Sequence, residues 1–411
     1  MRAAGTLSLY WFIVLGALGI WFPFYSLYLS ENAGLTGSQV GMVMAMLPLV
    51  GMVAQPLWGQ IADRTGARAR VMSLLTLGAA AGYAALWFST GFHQLLIGTA
   101  VLAVFSTSVL PISVSVSLAA LRDVGPHAFG IARACGTVGF LVAVIAFPKV
   151  LDWIQANGGT AAALGGPSEP GLALILPATA VVVLLASLIS LAVPRESTGG
   201  ARAAKGDWRV LLRHPPYVRL LLFTFGGYLF LQGPMTLFPI FVRSLGGGIE
   251  TVSQMWVLML VLEIPLVALS GAGLDRVGPK GLILVGVGAG AVRWLVCAVS
   301  SNLTLIYAVQ VLHGVTVMGL IIGAPLYVDA VVPPRLRSTG QGILAMVGIS
   351  TAGILSNLTV GWLFEHVGAS APALFAGCGS ALLALAIPWA LPEATHVQHE
   401  IVEEEIGRAL P

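Results

Sequence analysis

The chain has 411 residues, of which 57% are hydrophobic and only 9% are charged. Soluble domains carry about 25% charged residues, so this composition excludes a water-soluble globule. The net charge of +3 by itself indicates no particular partner. The three cysteines, Cys135, Cys297 and Cys378, lie far apart in apolar runs, which predicts neither a disulfide framework nor a metal site.

Long apolar segments fill most of the chain. A membrane-spanning helix needs roughly 20 mainly apolar residues, and cutting the chain at charges and turn residues gives twelve such segments. The first, "LSLYWFIVLGALGIWFPFYSLYL", exceeds a signal-peptide core and lacks an Ala-x-Ala cleavage site, so we expect it to be retained. Spans 1 to 12 are predicted near residues 7–29, 39–62, 70–89, 94–121, 128–151, 171–194, 215–242, 250–274, 280–300, 303–328, 338–363 and 371–391.

The most polar interior stretch separates spans 6 and 7 and reads "PRESTGGARAAKGDWRVLLRHPP". It is typical of a linker between two halves. We therefore predict four parts, namely an N-terminal six-helix bundle at 1–194, a cytoplasmic linker at 195–214, a C-terminal six-helix bundle at 215–392 and a cytoplasmic tail at 393–411.

The basic residues predict the orientation. With the N-terminus inside, sixteen of the 20 lysines and arginines fall in inner segments, and only Lys149 and Arg243 fall outside. The remaining two lie within spans. This positive-inside bias predicts a multi-pass protein of the bacterial inner membrane with both termini in the cytoplasm.

A loop motif occurs twice, after span 2 as "GQIADRTGARAR" and after span 8 as "GAGLDRVGPK", at an offset of 212 residues. A charged loop that obeys the positive-inside rule would explain the arginines but not the repeated spacing. We expect the first glycine of each copy to allow close helix approach, the second to allow a tight turn, and the aspartates to find a helix N-terminus or an arginine. The predicted conformational latch comprises Gly59, Asp63, Arg64, Gly66, Arg68, Gly271, Asp275, Arg276 and Gly278.

These loops resemble the signature of the major facilitator superfamily, with Ala67 and Ala69 at positions where the family often has further basic residues. The resemblance covers essentially the whole chain. It implies an all-α membrane protein, a monomer, with twelve helices in two pseudosymmetric six-helix bundles. The axis relating the bundles would run along the membrane normal, and the solute site would lie between them near the midplane.

Four ionisable residues fall inside spans: Arg133, Glu263, Arg293 and His313. Ionisable groups are expensive there and indicate functional sites. At a rise of about 1.5 Å per residue, Arg293 lies roughly 12 Å and His313 roughly 18 Å from the outer turn at Ser301. Glu263 lies roughly 18 Å from the inner end of span 8. These three groups therefore share the middle of a core about 30 Å thick, whereas Arg133 is shallower.

Each of the four ionisable residues also has a purely structural explanation. His313 can hydrogen-bond to a neighbouring helix, and Glu263 can be a protonated packing residue. Arg133 can extend to the lipid headgroups. Arg293 has the weakest alternative, because its charge cannot easily reach water from the middle of the membrane.

Three segments surround these groups, namely "FGIARACGTVGF" at 129–140, "AVRW" at 291–294 and "QVLHG" at 310–314. They resemble the oligosaccharide:proton symporter branch with the lactose and phenylpropionate permeases, which has the same separation of twenty residues between its arginine and histidine. The resemblance implies that Arg133 helps to bind the solute and that Arg293 and His313 serve proton coupling.

Two departures argue against a disaccharide. Thr316 stands where the lactose permease has a glutamate, and span 4 has no carboxylate before Asp123. Coupling would then depend on Glu263. A carboxyl in a dry cavity favours its protonated form, whereas a nearby arginine favours the ionised form. Such a balance would let Glu263 load and release a proton.

A count of these charges predicts the solute. Two arginines against one glutamate leave an excess near +1, which an organic anion such as an aromatic carboxylate would neutralise. Tyr25, Tyr28, Tyr228 and Phe230 are candidates to pack against its ring, although they can equally be lipid-facing or packing residues.

The main hypothesis is a secondary transporter that imports a small solute with protons. A sugar or nucleoside proton symporter, a proton-driven efflux antiporter and a non-transporting membrane receptor remain alternatives. Span 5 has scattered glycines and a proline only near its outer end, which does not make the antiporter motif. No G-x-x-x-x-G-K-[ST] motif, catalytic triad, metal cluster or nucleic-acid patch is visible, so we expect no enzyme activity, no cofactor and no nucleic-acid partner.

Overall fold

A computed structural model of the protein describes residues 2–122, 124, 127–157, 170–193, 208–268, 270–333 and 336–393, without the side chains of residues 2, 208, 267, 268, 270–276 and 338. Most of the predicted linker and nearly all of the predicted tail lie outside these residues. The predicted domain boundaries therefore stay a prediction.

Twelve helices in the described part of the chain are long and apolar enough to cross a membrane, which confirms the predicted spans. Their ends lie within a few residues of the predictions, and near the predicted inner end of span 8 the helical backbone runs over Ile249–Ala268 and again from Ser270. Spans 1 to 12 are Ala3–Glu31, Gly37–Thr65, Arg68–Trp87, Gly91–Ala120, Ala128–Ala156, Leu172–Ser190, Pro215–Ser244, Ile249–Leu266, Val277–Val299, Leu303–Val331, Thr339–His366 and Ala371–Ala390.

The helix ends follow local sequence signals. Thr36 caps span 2 through a reciprocal pair of hydrogen bonds with Gln39, and the Asn302 side chain accepts from the first amides of span 10. Both arrangements satisfy amides that the first helical turn leaves without partners. A short helix, Trp208–Leu212, precedes span 7.

Three spans are interrupted. Span 1 consists of helices Arg2–Trp21 and Tyr25–Glu31. Span 10 consists of Leu303–Val309, Leu312–Val317, the π-helical turn Met318–Gly323 and Ala324–Val331. Span 11 consists of Arg337–Ile343, the π-helical turn Leu344–Thr351 and Ala352–His366. Such π-helical turns are rare and are frequent at functional sites.

The chain forms two compact units. Unit 1 comprises Met1–Ala201 with Thr236–Val257, and unit 2 comprises Arg202–Met235 with Leu258–Pro411. The boundary therefore crosses spans 7 and 8 within the helices, because the segment between residues 236 and 257 has its contacts in unit 1.

Glycines pack the helices of unit 1 closely. An added Cβ at Gly19 would meet the Phe140 carbonyl, and one at Gly139 would meet the Phe12 carbonyl, so the backbones of spans 1 and 5 touch. Lipid provides no hydrophobic driving force between helices, so the close packing that small residues allow stabilises such crossings instead. Buried hydroxyl groups add hydrogen bonds between helices, as between Tyr10 and Ser113 at 2.8 Å.

Glycines also pack the helices of unit 2 closely. Gly286 on span 9 faces Gly319 on span 10, where an added Cβ on either glycine would meet the backbone of the other. Gly314 on span 10 approaches Glu263 on span 8, whose Cα would lie 2.9 Å from a Cβ added at Gly314. The glycine beside His313 therefore brings spans 8 and 10 together at the depth of the predicted charges.

Candidate functional site

Arg293 is the centre of a polar cluster in unit 2. The residue is 0% exposed, and its Nε donates to Oε1 of Gln310 at 2.8 Å. Its Nη2 donates to the sulfur of Met235 at 3.0 Å and makes a longer contact of 3.9 Å with the sulfur of Met259. The guanidinium carbon lies 4.4 Å from the centre of the Trp294 ring. These contacts of the fixed positive charge are with neutral acceptors and an aromatic face, which also attracts cations.

His313 lies between Arg293 and Glu263. The Nη1 atom of Arg293 lies 3.2 Å from Nδ1 of His313. A guanidinium can only donate, so Nδ1 is the acceptor and the imidazole proton sits on Nε2. The Nε2 atom faces Oε2 of Glu263 at 4.0 Å. The geometry therefore assigns a neutral His313 whose remaining N–H points towards the carboxyl group of Glu263.

Span 10 is locally irregular where it provides this histidine. Helix Leu303–Val309 ends before Gln310, the next helix begins at Leu312, and a π-helical turn follows from Met318. Gln310 and His313 are three residues apart and therefore share one helix face. The Gln310 side chain is fixed by a further bond from its Nε2 to the Ile306 carbonyl at 2.7 Å. This arrangement holds two acceptors against Arg293.

The formal charge of the cluster depends on the protonation of its members. Protonating His313 would place an N–H against the guanidinium donor and break the bond between them. The side chain of Glu263 is 27% exposed, compared with 10% for His313. With His313 neutral, the formal charge of Arg293, His313 and Glu263 is zero when the carboxyl is ionised and +1 when it is protonated.

The structure thus brings together the three residues predicted to serve proton coupling. It adds Gln310, Met235 and Met259, which the sequence analysis did not single out. Gln310 could have been predicted from the sequence, because it is a polar residue three positions before His313 in an apolar span. The two methionines could not have been predicted from the sequence, because methionine is an ordinary apolar residue of membrane helices.

The predicted solute-binding residues are distributed over both units. Arg133 belongs to unit 1, is half-buried and lies over the Trp11 ring at 5.0 Å. The indole Nε1 of Trp11 donates to Ser117 at 3.0 Å. A cation on an aromatic face beside fixed hydroxyl groups forms a polar patch in an otherwise apolar bundle.

The three predicted tyrosines are buried. Tyr25 is 0% exposed, its hydroxyl pairs with Thr99 at 2.8 Å, and its ring stacks on Trp21 at 4.7 Å. Tyr28 also belongs to unit 1, whereas Tyr228 belongs to unit 2. The structure gives Tyr25 a clear packing role, and a role of the three tyrosines in solute binding stays a prediction.

The loop after span 2 forms the expected ion pair, in which Nη2 of Arg68 lies 2.7 Å from Oδ1 of Asp63. Gly66 and Gly278 have φ values of 63° and 66°, so both occupy the conformation that favours glycine and allow the predicted turns. The expected close helix approach at Gly59 is not found among the described residues, because a Cβ added there would meet nothing within 4 Å.

Other latch residues contribute less. Arg64 is exposed. Gly271, Asp275 and Arg276 fall where side chains are not described, so the second ion pair stays a prediction. Among the described residues, no group of three or more His, Cys, Asp or Glu side chains is arranged to hold a metal ion.

Comparison with known proteins agrees with this architecture. The model of the MFS_1 like family matches residues 5–375. The chain is 29% identical over 365 residues to the maltose permease of Geobacillus stearothermophilus, which covers 87% of each chain. It is 24% identical over 373 residues to the putative nucleoside transporter YegT of Escherichia coli, which covers 84% of this chain and 81% of that protein.

A crystal structure of the nucleoside transporter NupG has a similar fold, with a TM-score of 0.81 at 16% identity, covering 94% of this chain and 98% of the other. The twelve spans and these matches define a multi-pass transporter of the bacterial plasma membrane and confirm the predicted major facilitator fold. The chain belongs to the MFS_1 like family, and the relatives named above are transporters.

Proposed function

We propose that the protein is a proton-coupled symporter that imports a small uncharged solute of the sugar, oligosaccharide or nucleoside type. Relatives named as a maltose permease and a putative nucleoside transporter support this solute class. They do not support the aromatic carboxylate that we expected from the charges. The arrangement of Glu263, His313 and Arg293 carries the proposal of proton coupling.

The enclosure of Arg293 explains why the charge count was a poor guide to the solute. That count placed two arginine charges in one cavity, where a solute would have to neutralise them. In the structure, Arg293 is 0% exposed and donates to neutral side chains. We therefore infer that Glu263, which faces His313 on the side away from the contact with Arg293, balances this charge in place of a bound anion.

The proton would bind to Glu263. Its ionised form balances the charge of Arg293, and its protonated form leaves the cluster at +1. His313 would orient this carboxyl group, because its Nε2–H points towards the Glu263 oxygen. A change in water access to Glu263 would then decide between loading and release, as alternating access requires.

The solute would bind through hydrogen bonds from Arg133, because a guanidinium donates to hydroxyl or carbonyl oxygens. Trp11 is 0% exposed, so its ring would hold Arg133 in place rather than contact the solute. Arg133 thus stays the proposed solute ligand, on the evidence of its contact with Trp11.

Proton entry into liposomes tests the function. The purified protein is reconstituted with an internal pH dye, and maltose, a nucleoside and phenylpropionate are added outside in separate runs. We expect maltose or the nucleoside to acidify the interior, and phenylpropionate to have no effect beyond that in protein-free liposomes. Glu263→Gln should abolish the acidification, since a glutamine cannot take up the proton.

Glu250→Gln is the matched control, because Glu250 is an exposed glutamate on the same span. It should acidify the interior like the unchanged protein. Solute-driven acidification that persists in Glu263→Gln would contradict the proposed proton site. Solute flux that requires Na⁺, or that moves only outward, would contradict proton symport.

A further inference from the structure

A cavity of about 200 Å³ lies within unit 1. Its walls come from spans 1, 2, 3, 4 and 6, and most of the side chains in them are apolar. Ala17 and Ala79, which are 1% and 2% exposed, leave space that larger side chains would fill. Protein interiors are close-packed and contain few voids larger than a water molecule. A void of this size is therefore a candidate binding site.

Two hydroxyl groups of the cavity walls have no hydrogen-bond partner among the described residues. They belong to Tyr83 on span 3, which is 3% exposed, and to Ser106 on span 4, which is half-buried. The neighbouring Thr107 differs, because its hydroxyl donates to the Ala103 carbonyl at 2.7 Å. A polar group without a partner is costly inside a membrane. The two hydroxyls therefore indicate a ligand that has polar groups of its own.

An indole forms an aromatic wall of the cavity. Trp21 is 3% exposed, and its Nε1–H also lacks a partner in the described part of the chain. The Trp21 ring stacks on Tyr25 at 4.7 Å and lies 5.7 Å from Tyr83 in an edge arrangement. The Tyr25 hydroxyl is in turn fixed by Thr99 at 2.8 Å. These contacts hold the wall in place before a ligand binds, which lowers the entropic cost of binding.

The walls favour a single ring that has an apolar face and hydroxyl groups at its edge. An apolar cavity of about 150 Å³ holds a benzene ring, so this cavity is large enough for one five- or six-membered ring. Water is a poorer occupant, because the space holds more than one water and most of the walls offer no hydrogen bond. A sugar ring has C–H faces that can pack on an aromatic ring. Its hydroxyls can both donate to and accept from Tyr83 and Ser106.

The cavity is separate from the site proposed at Arg133. Arg133 lies over the ring of Trp11, and Trp11 and Trp21 are ten residues apart on span 1. This separation corresponds to about 15 Å along a helix. One sugar ring cannot contact both places.

We propose that this cavity is a second solute-binding site, which holds one sugar ring, either of a sugar or of the ribose of a nucleoside. Tyr83 and Ser106 bind the hydroxyls of the ring, and Trp21 provides the aromatic wall. The choice of a sugar ring rests on the proposed function, whereas binding in the cavity does not require transport.

Fluorine NMR of the protein in detergent micelles tests the site. The 10 tryptophans are labelled as fluorotryptophan, and the resonance that is absent from Trp21→Phe is assigned to Trp21. We expect this resonance to shift in a saturable way when maltose or uridine is added. Mannitol should not shift it, because mannitol has hydroxyl groups but no ring. Tyr83→Phe and Ser106→Ala should each weaken the apparent affinity about fivefold, which corresponds to one hydrogen bond of ordinary strength.

Two further variants make the test specific. Ser108→Ala is the matched control for Ser106→Ala and should leave the affinity unchanged. Ser108 is on the same span, is 1% exposed and has a hydroxyl without a partner among the described residues, but it does not line the cavity. Ala79→Leu fills the cavity and should abolish the saturable shift, while the remaining tryptophan resonances keep their positions and report an intact fold.

A Trp21 resonance that neither maltose nor uridine shifts would overturn the site, as would equal effects of Ser108→Ala and Ser106→Ala on affinity. A response to mannitol as large as that to maltose would overturn the assignment to a sugar ring. Since no proton gradient is present, a saturable shift in a protein that does not acidify liposomes would leave this inference standing and overturn the proposed function. Acidification whose dependence on solute concentration is unchanged in both Tyr83→Phe and Ser106→Ala would do the reverse.

Discussion

Replacing Gln310 by leucine should destabilise unit 2 while keeping the side-chain volume similar. The change removes the oxygen that accepts from Nε of Arg293 at 2.8 Å and the amide that donates to the Ile306 carbonyl at 2.7 Å. Gln310 and Arg293 are both 0% exposed, so water cannot replace either partner.

The magnitude follows from the charge on Arg293. A hydrogen bond to a charged group contributes about 1.5–3 kcal/mol, compared with about 0.6 kcal/mol for an average bond between membrane helices. The better burial of leucine offsets part of the loss. We expect Gln310→Leu to lower the free energy of unfolding by about 2 kcal/mol. Gln310→Glu keeps an acceptor and should restore most of it, with a changed proton response.

Unfolding in mixed micelles, followed by tryptophan fluorescence, measures the stability difference. Gln254→Leu is the control, because Gln254 is exposed and bonds to Glu250 on the surface. It should change stability by less than about 0.5 kcal/mol. A Gln310→Leu protein as stable as the unchanged protein would show that Gln310 does not hold Arg293, and the reasoning about the cluster would fail.

Three further substitutions test other parts of the structure. Gly139→Ala forces spans 1 and 5 apart and should lower the yield of folded protein. Gly130→Ala should leave the yield unchanged, because its added Cβ meets nothing within 4 Å. Size-exclusion chromatography compares the two yields. Gly278→Ala should cost about 1 kcal/mol or more because of its positive φ, and Gly288→Ala on the same helical segment should be neutral or stabilising in the unfolding assay. Asp63→Asn should hardly change stability, because the side chain is 63% exposed, but should slow solute uptake into liposomes if the latch operates.

Much of the fold follows from the sequence because membranes impose a simple rule. Each span needs a minimum apolar length, and each turn needs charges or turn residues. Even the three residues Ser300–Asn302 therefore separate spans 9 and 10 correctly. The same argument by depth brought Glu263, Arg293 and His313 to one level, and the structure confirms that they lie together.

The failures have physical causes as well. Depth alone does not say which way a side chain points, so Arg293 was counted as a charge facing the solute although it is enclosed. Gly59 was assigned to a helix crossing because glycine often packs there, but a Cβ added at Gly59 would meet none of the described residues within 4 Å. The hydrogen bond between Gly233 and Ser356 joins residues 123 positions apart. No local pattern encodes such contacts.

The neutral surroundings of Arg293 have an electrical consequence. If the cluster is neutral with Glu263 ionised and carries +1 with Glu263 protonated, only the proton-loaded form feels the membrane voltage. A full elementary charge crossing 100 mV gains about 2.3 kcal/mol, and a cluster that moves part of the way gains that fraction. An interior-negative potential would then accelerate the inward half of the cycle and leave the empty return indifferent to voltage.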